Sequence, residues 1–331
     1  MRLTAPVAFF LLFLTSAIPA FAQKPSFALP LACHINQDCW IANYVDDDPS
    51  TAAADFQCRT RTYDGHNGTD FALRDLVAMQ QGTPVLAAAA GKILRLRDNM
   101  DDKTVTDEER KKMLADNTGC GNGVYIDHGD GWQTIYCHMK KGSISVKPGQ
   151  QVKAGDKIGL AGNSGIAEFP HLHFGVFFEN HTIDPFTGLE AADGCGKGGT
   201  ALWQPSIDLA YDPVAIYATG FKAGVPDFEA IKIDAASPAS APENSDALTF
   251  WAAFYGMRTG DVITMEISDP QGRIFARREI TQEKDRARQF YYVGRKTRGE
   301  GLTKGTYTGN VQVRRADDAV TRAQSRTLAV Q

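Results

Sequence analysis

Pro170-His171-Leu172-His173-Phe174 sets two histidines two residues apart. Side chains on a strand alternate with a period of two, so His171 and His173 fall on one face and Leu172, Phe174 and Val176 on the other. One strand then delivers two imidazoles into one place, and neutral imidazole is both a metal ligand and a general base. A second pattern, His66-Asn67-Gly68-Thr69-Asp70, holds an imidazole and a carboxylate four residues apart in a turn that leads into a strand. Two histidines and one carboxylate are a common ligand set for catalytic zinc, with a fourth position left for water. His138 closes a strand expected from Trp132 and is a further imidazole for the same chemistry. His128 belongs to a hairpin turn and reads as structural, and His34 and His181 as surface or packing residues. Each pattern alone is common; all of them in order within one β-rich region make a constellation.

The elements that must position these groups are short strands. From Tyr63 to about Phe186, apolar runs such as Val124-Tyr125-Ile126 and Thr134-Ile135-Tyr136 alternate with glycine turns, the texture of an all-β domain. His128-Gly129-Asp130-Gly131 predicts a hairpin. Residues 98–118 are a polar insertion in which Thr106 and Glu109 predict a capped helix through about Ala115. Asp98, Asp101 and Asp102 lack the glycine and spacing of a calcium loop. Residues 23–62 read as an irregular segment, stapled by cysteines rather than packed, and 191–205 as a linker or stapled loop. Over 206–331 the alternation of Leu248, Phe250, Ala252 and Phe254 with Thr249, Trp251, Ala253 and Tyr255 predicts a strand covered on both faces. About seven or eight strands there predict a C-terminal β-sandwich without histidine or cysteine. Its default role is wall or partner binding, or spacing.

Length and composition place these domains. The chain has 331 residues, is 43% hydrophobic and 22% charged, and so has the make-up of an ordinary globular protein of about two domains. Arg2, an apolar run from Val7 to Leu14 and Ala20-Phe21-Ala22 read as a signal peptide over 1–22, so export to the periplasm or the exterior is expected. The apolar run is too short for a span, and no stable membrane insertion is expected. The net charge of −4 and the lack of a long basic run argue against nucleic acid. Six cysteines, all after the leader, predict disulfides. Cys120 with Cys137 is favoured because the hairpin brings their strand ends close; Cys39 with Cys58 is the second guess.

Residues 63–186 resemble the lysostaphin-like, LytM-type family of zinc peptidases. The resemblance runs through His66-x-x-x-Asp70, Gly121-Asn122-Gly123-Val124-Tyr125-Ile126-Asp127-His128-Gly129, Tyr136-Cys137-His138-Met139, the glycine-punctuated stretch from Val146 to Gly165, and Pro170-His171-Leu172-His173-Phe174. It implies a small antiparallel β domain with a groove, of the duplicated hybrid motif type, over 63–190. It implies Zn2+ held by His66, Asp70 and His173, and catalysis by His138 and His171, which could take a proton from water and stabilise an oxyanion. It implies peptidoglycan peptides as substrate. The 98–118 insertion, the cysteines and the sandwich depart from the family pattern.

Other readings compete. Some domains of this type have lost their ligands and act as regulators of wall hydrolases, but here every motif position is filled. The run from Val146 to Gly159 also resembles a biotinyl or lipoyl carrier, for which Met139-Lys140-Lys141 is a poor attachment site. A secreted protease acting on proteins is the remaining alternative. The reading adopted is a secreted zinc endopeptidase of peptidoglycan cross-links or stem peptides.

Overall fold

The computed structural model describes residues 24–315 and 321–331; the expected leader over 1–22 lies outside the described residues. Among these residues strands predominate, and the three α-helices are short: α1 (Leu76–Gln81), α2 (Asp107–Ala115) and α3 (Phe228–Ile233).

Seven strands make the main path of the sheet in the histidine-rich part of the chain. They are β1 (Cys39–Asn43), β2 (Thr69–Leu73), β3 (Gly91–Arg97), β4 (Gly123–Gly129), β5 (Trp132–Cys137), β6 (Gln151–Val152) and β7 (His171–Phe178). They hydrogen-bond in the order β1-β2-β7-β5-β4-β3-β6, every neighbour antiparallel. Central β7 is buried on both faces: Leu172, Phe174 and Val176 enter a core with Phe71, Val124, Ile126 and Tyr136, which leaves His171 and His173 to the other face. The β4–β5 hairpin turns at Asp130 and Gly131, both at positive φ, where the expected His128–Gly131 turn falls.

The second part is a two-sheet sandwich. Its strands are β8 (Ala215–Lys222), β9 (Ala247–Met257), β10 (Val262–Ser268), β11 (Ile274–Thr281), β12 (Arg286–Lys296), β13 (Gly305–Arg314) and β14 (Thr321–Val330). One sheet runs β8-β9-β12; the other runs β14-β13-β10-β11, with Ser240–Ala241 added beside β14. Between them lie Leu248, Phe250, Ala252 and Phe254 of β9, Ile263, Met265 and Ile267 of β10, and Val311 and Val313 of β13.

Strand β9 is covered on both faces, as its composition predicts. Trp251, Ala253 and Tyr255 form a separate apolar cluster with Tyr217 of β8, Trp40 and Ala42 of β1, Ala72 of β2 and Phe169. Tyr217 stacks on Tyr255 at 4.3 Å and meets Trp40 edge-on at 5.9 Å. Such pairs each add ~0.5–1.5 kcal/mol beyond the area they bury. The Tyr255 hydroxyl donates to the Leu73 carbonyl at 3.2 Å. The sandwich is therefore docked against the β1–β2 edge of the histidine-rich sheet.

The amino-terminal segment differs from its expectation: it is packed as well as stapled. Phe27 and Leu31 are fully buried in the main core, and β1 extends the sheet by pairing with β2. Asp46 and Asp47 are also buried, although Asp46-Asp47-Asp48-Pro49-Ser50 reads as a solvated turn. Asp46 accepts backbone N–H groups of Asp48, Ala54 and Gly65, which explains its inward position. Leu202 and Trp203 likewise enter the main core, with a bridge between Phe27 and Trp203.

Three disulfides join Cys33 to Cys39, Cys58 to Cys195 and Cys120 to Cys137. The last is the favoured pair. The Cys39–Cys58 guess is wrong, because Cys39 starts β1 and is reached by the tight turn from Cys33, while Cys58 lies against the loop at 194–196, where Gly196 N–H donates to Phe56 O at 3.2 Å. In the insertion α2 opens with the expected box: Thr106 Oγ1 accepts from Glu109 N, and the Glu109 carboxylate accepts from Thr106 N. Asp98 and Asp102 bind Ile144, Lys141 and Asn163 N–H groups, and Asp101 pairs with Lys141 at 2.6 Å, so these acids hold the insertion down.

Candidate metal centre and active site

Register places the site. Asp70 of β2 lies directly opposite His173 of β7, and Ala72 opposite His171, so Asp70, His171 and His173 share one face. His66 reaches the same point from the turn before β2. His66 Nε2 lies 3.1 Å from Asp70 Oδ1 and 3.1 Å from His173 Nδ1, and His173 Nδ1 lies 3.0 Å from Asp70 Oδ1. All three residues are at most 7% exposed.

This triangle has the chemistry of a cation site. His66 Nδ1 donates to the Tyr44 carbonyl at 2.6 Å, so Nε2 carries the lone pair, aimed at a carboxylate oxygen and a second ring nitrogen. Three electron-rich atoms so close in a buried place need a positive charge among them. Metal–donor bonds of about 2.0–2.1 Å at tetrahedral angles would set donors about 3.3 Å apart, close to the spacing seen. One other group of suitable residues occurs among those described, Cys33, Asp38 and Cys39, but its sulfurs are in a disulfide.

Two more imidazoles border the triangle. His171 Nδ1 donates to Phe169 O at 2.8 Å, and its Nε2 lies 3.6 Å from Asp70 Oδ1. His138 follows β5 at positive φ (59°), its N–H donating to Cys120 O and its Nδ1 to Ser164 O, both at 2.8 Å. The His138 and His171 rings are 4.5 Å apart. In both rings Nδ1 is committed as a donor, so Nε2 is the free acceptor.

Electrostatics follow from burial and neighbours. Burial, then His171 and His173 beside it, holds His138 well below the usual histidine value. Burial also lowers His173. For Asp70 burial works upward, but the neighbouring His66, His171 and His173 rings outweigh it and keep the carboxyl well below its usual range. Burial would lower His66, yet Asp70 raises it overall.

Supporting residues complete the arrangement. Asn43 Nδ2 donates to Asp70 Oδ2 at 2.8 Å. A Cβ on Gly68 would sit 2.5 Å from His173 Nε2, so only glycine lets that ring pack there. Ser164 Oγ donates to Met139 O and accepts from Asn122 N, which fixes the carbonyl that holds His138. Gly68 stands inside the His66–Asp70 pattern, where it signals a turn; Asn43 and Ser164 have no local signal at all. His128, with Nδ1 to Ala90 O and Nε2 to Thr134 Oγ1, is away from the site. His34 and His181 are exposed and pair with Asp38 and Glu190. A cleft of about 290 Å³ opens over the centre, lined by Tyr63, Arg110, Tyr125, His138, Ile166 and His173 among others.

Residues 64–185 match the model of peptidase family M23. An uncharacterized metalloprotease of Haemophilus influenzae is 34% identical over 122 residues, 37% of this chain and 20% of that protein. Peptidoglycan DD-endopeptidase ShyA of Vibrio cholerae is 34% identical over 119 residues, 36% of this chain and 22% of the relative. Lysostaphin of Staphylococcus staphylolyticus is 35% identical over 147 residues, 43% of this chain and 25% of the relative. The chain thus spans about a quarter or less of the length of these curated relatives.

Proposed function

We propose that this protein is an exported zinc metalloendopeptidase that hydrolyses peptide bonds in peptidoglycan cross-links or stem peptides. The observation that carries the reading is the convergence of His66 Nε2, Asp70 Oδ1 and His173 Nδ1 within 3.1 Å of one another, beside two histidines with free Nε2 atoms. Its family, and relatives whose names state action on peptidoglycan, point to the same chemistry.

His66, Asp70 and His173 would hold the metal. Zinc bound there supplies Lewis-acid polarisation of a carbonyl and acidifies water towards a pKa of ~7. The chain's own residues do the rest. Tyr44 O and Asn43 orient His66 and Asp70, as outer partners of metal ligands do. His138, which lines the cleft, and His171 beside it offer Nε2 to accept the proton of the attacking water, return it to the leaving amine and steady the developing oxyanion. The walls of the cleft lay an extended peptide across these groups. Export is supported by the leader-like residues 1–22 and by three disulfides, which suit an oxidising compartment. No helix among the described residues is long and apolar enough to cross a membrane.

The test is digestion of purified wall with product analysis by mass spectrometry, in parallel with chelated protein and with chelated protein given zinc. New amino termini that appear only with zinc support the reading. Intact wall in every arm defeats it.

A further inference from the structure

Arg288 of β12 projects out of the sandwich towards the histidine-rich domain. Its guanidinium sits among the rings of Tyr217, Phe228 and Phe169, at 5.3, 5.8 and 5.9 Å from their centroids. Nε donates to the Tyr217 hydroxyl at 2.7 Å. Nη2 is buried and meets no acceptor. A guanidinium placed against apolar rings with an unmet donor is costly, because it is desolvated without return.

That guanidinium lines a cleft of about 450 Å³ walled also by Phe169, Ile166 and Phe228, and by Arg110 of α2. Arg110 and Ile166 line this cleft and the one over the metal triangle as well, so the two share a wall. Phe169 ties them more closely, since its carbonyl holds His171 Nδ1 at 2.8 Å. Lys232, Glu229, Asp107 and Glu168 also border the second cleft. Glu229 is taken by Lys232 at 2.7 Å, and neither Asp107 nor Glu168 is ion-paired with Arg288.

We propose that the second cleft continues the substrate groove and that Arg288 is a specificity residue that binds a free carboxylate of the peptide substrate. The inference rests on the peptidase reading above. The guanidinium brings to the cleft wall a fixed positive charge that a carboxylate offsets and an uncharged amide does not. The aromatic rings fix its direction, and the sandwich and insertion thereby become parts of the binding surface instead of appendages. Asp107 and Glu168 add acceptors for an amino group near that carboxylate.

The experiment compares two defined cross-linked wall peptides, one with its free carboxylates and one with them converted to carboxamides, using the full-length, zinc-loaded protein. Arg288→Met should raise KM for the free acid roughly tenfold or more, the scale of losing a charge-assisted hydrogen-bond pair, with kcat little changed and KM for the carboxamide unmoved. Arg288→Lys should recover part of the loss, and zinc content and thermal midpoint check that each variant is folded. A variant that is merely misfolded loses both substrates equally, and that result overturns the role in recognition. Equal KM for acid and carboxamide in the unaltered protein, untouched by either substitution, overturns the Arg288 assignment and leaves the peptidase intact. Failure of the unaltered protein to cut either peptide or whole wall overturns both.

Discussion

Asn43 and Asp70 face each other across the β1–β2 pair, and the Asn43 carboxamide donates to Asp70 Oδ2 at 2.8 Å. The other Asp70 oxygen is the one that joins the metal triangle. A strand outside residues 64–185 thus orients a candidate metal ligand within them. Asn43→Ala would leave Oδ2 buried without its donor. Outer partners of metal ligands are typically worth about 10–100-fold in affinity. Zinc competition against a chromophoric chelator should show a loss on that scale with the fold retained; an unchanged affinity would remove Asn43 from the site.

His173→Ala should empty the centre, whereas His138→Ala and His171→Ala should keep near-normal zinc and lose activity by ~10²-fold or more, as expected for losing a general base or an oxyanion donor. Elemental analysis and wall digestion on the same preparations separate the roles. If His171→Ala loses zinc and His173→Ala does not, the two positions on β7 are exchanged.

Asp47 and Asp184 are a buried carboxyl pair, each with one oxygen that meets no donor. Burial, then the neighbouring Asp184, pushes Asp47 up to about 9; burial, first of its causes, pushes Asp184 up to about 7. Both values lie above the 3.8 of a free aspartate, so the folded chain holds protons that the unfolded chain releases. The stabilising contribution is complete below pH 3.8 and is lost as pH rises through about 7 and then about 9. Asp47→Asn can donate to Asp184 and should raise the thermal midpoint more in mild alkali than in mild acid. An equal gain at both extremes would mean that the pair does not titrate in this way.

The Cys120–Cys137 bridge closes a separation of 17 residues, and Cys120 O receives the N–H of His138. Replacing both cysteines with serine should cost about 3 kcal/mol on the loop-entropy estimate. It should also lower activity beyond what the loss of fold explains, because His138 loses its anchor. Denaturant titration and single-turnover digestion measure the two separately.

The strands of both domains, the capped helix α2 and the hairpin at 128–131 were legible because each rests on local signals: alternation, a capping pair and glycine turns. The five candidate site residues are singled out in part by spacing, and their division into ligands and catalytic groups rests on resemblance. The packing of 24–62 was not. Its strand β1 finds its partner only in β2, and Arg61 is buried by donating to the carbonyls of Ile41, Ala42 and Asp212, a set spread along the chain. Asp46 and Asp47 look solvated because charge usually means exposure, and no local rule places the donors that meet Asp46 or the Asp184 beside Asp47. Arg288 stands in a strand whose facing cleft is walled in part by residues of the other domain, far away in sequence.

The bridge between Cys58 and Cys195 spans 137 residues and encloses the Cys120–Cys137 bridge. A chain synthesised from its amino terminus presents Cys120 and Cys137 to Cys58 before Cys195 exists. Pairing each emerging thiol with its predecessor would give Cys33–Cys39 correctly, but then Cys58–Cys120 and Cys137–Cys195. Only one of the three native bridges is reached by that route. A chain that paired its cysteines in that order would need thiol–disulfide exchange to reach the native bridges, because until then Cys120, whose carbonyl receives the His138 N–H, would be tied to Cys58.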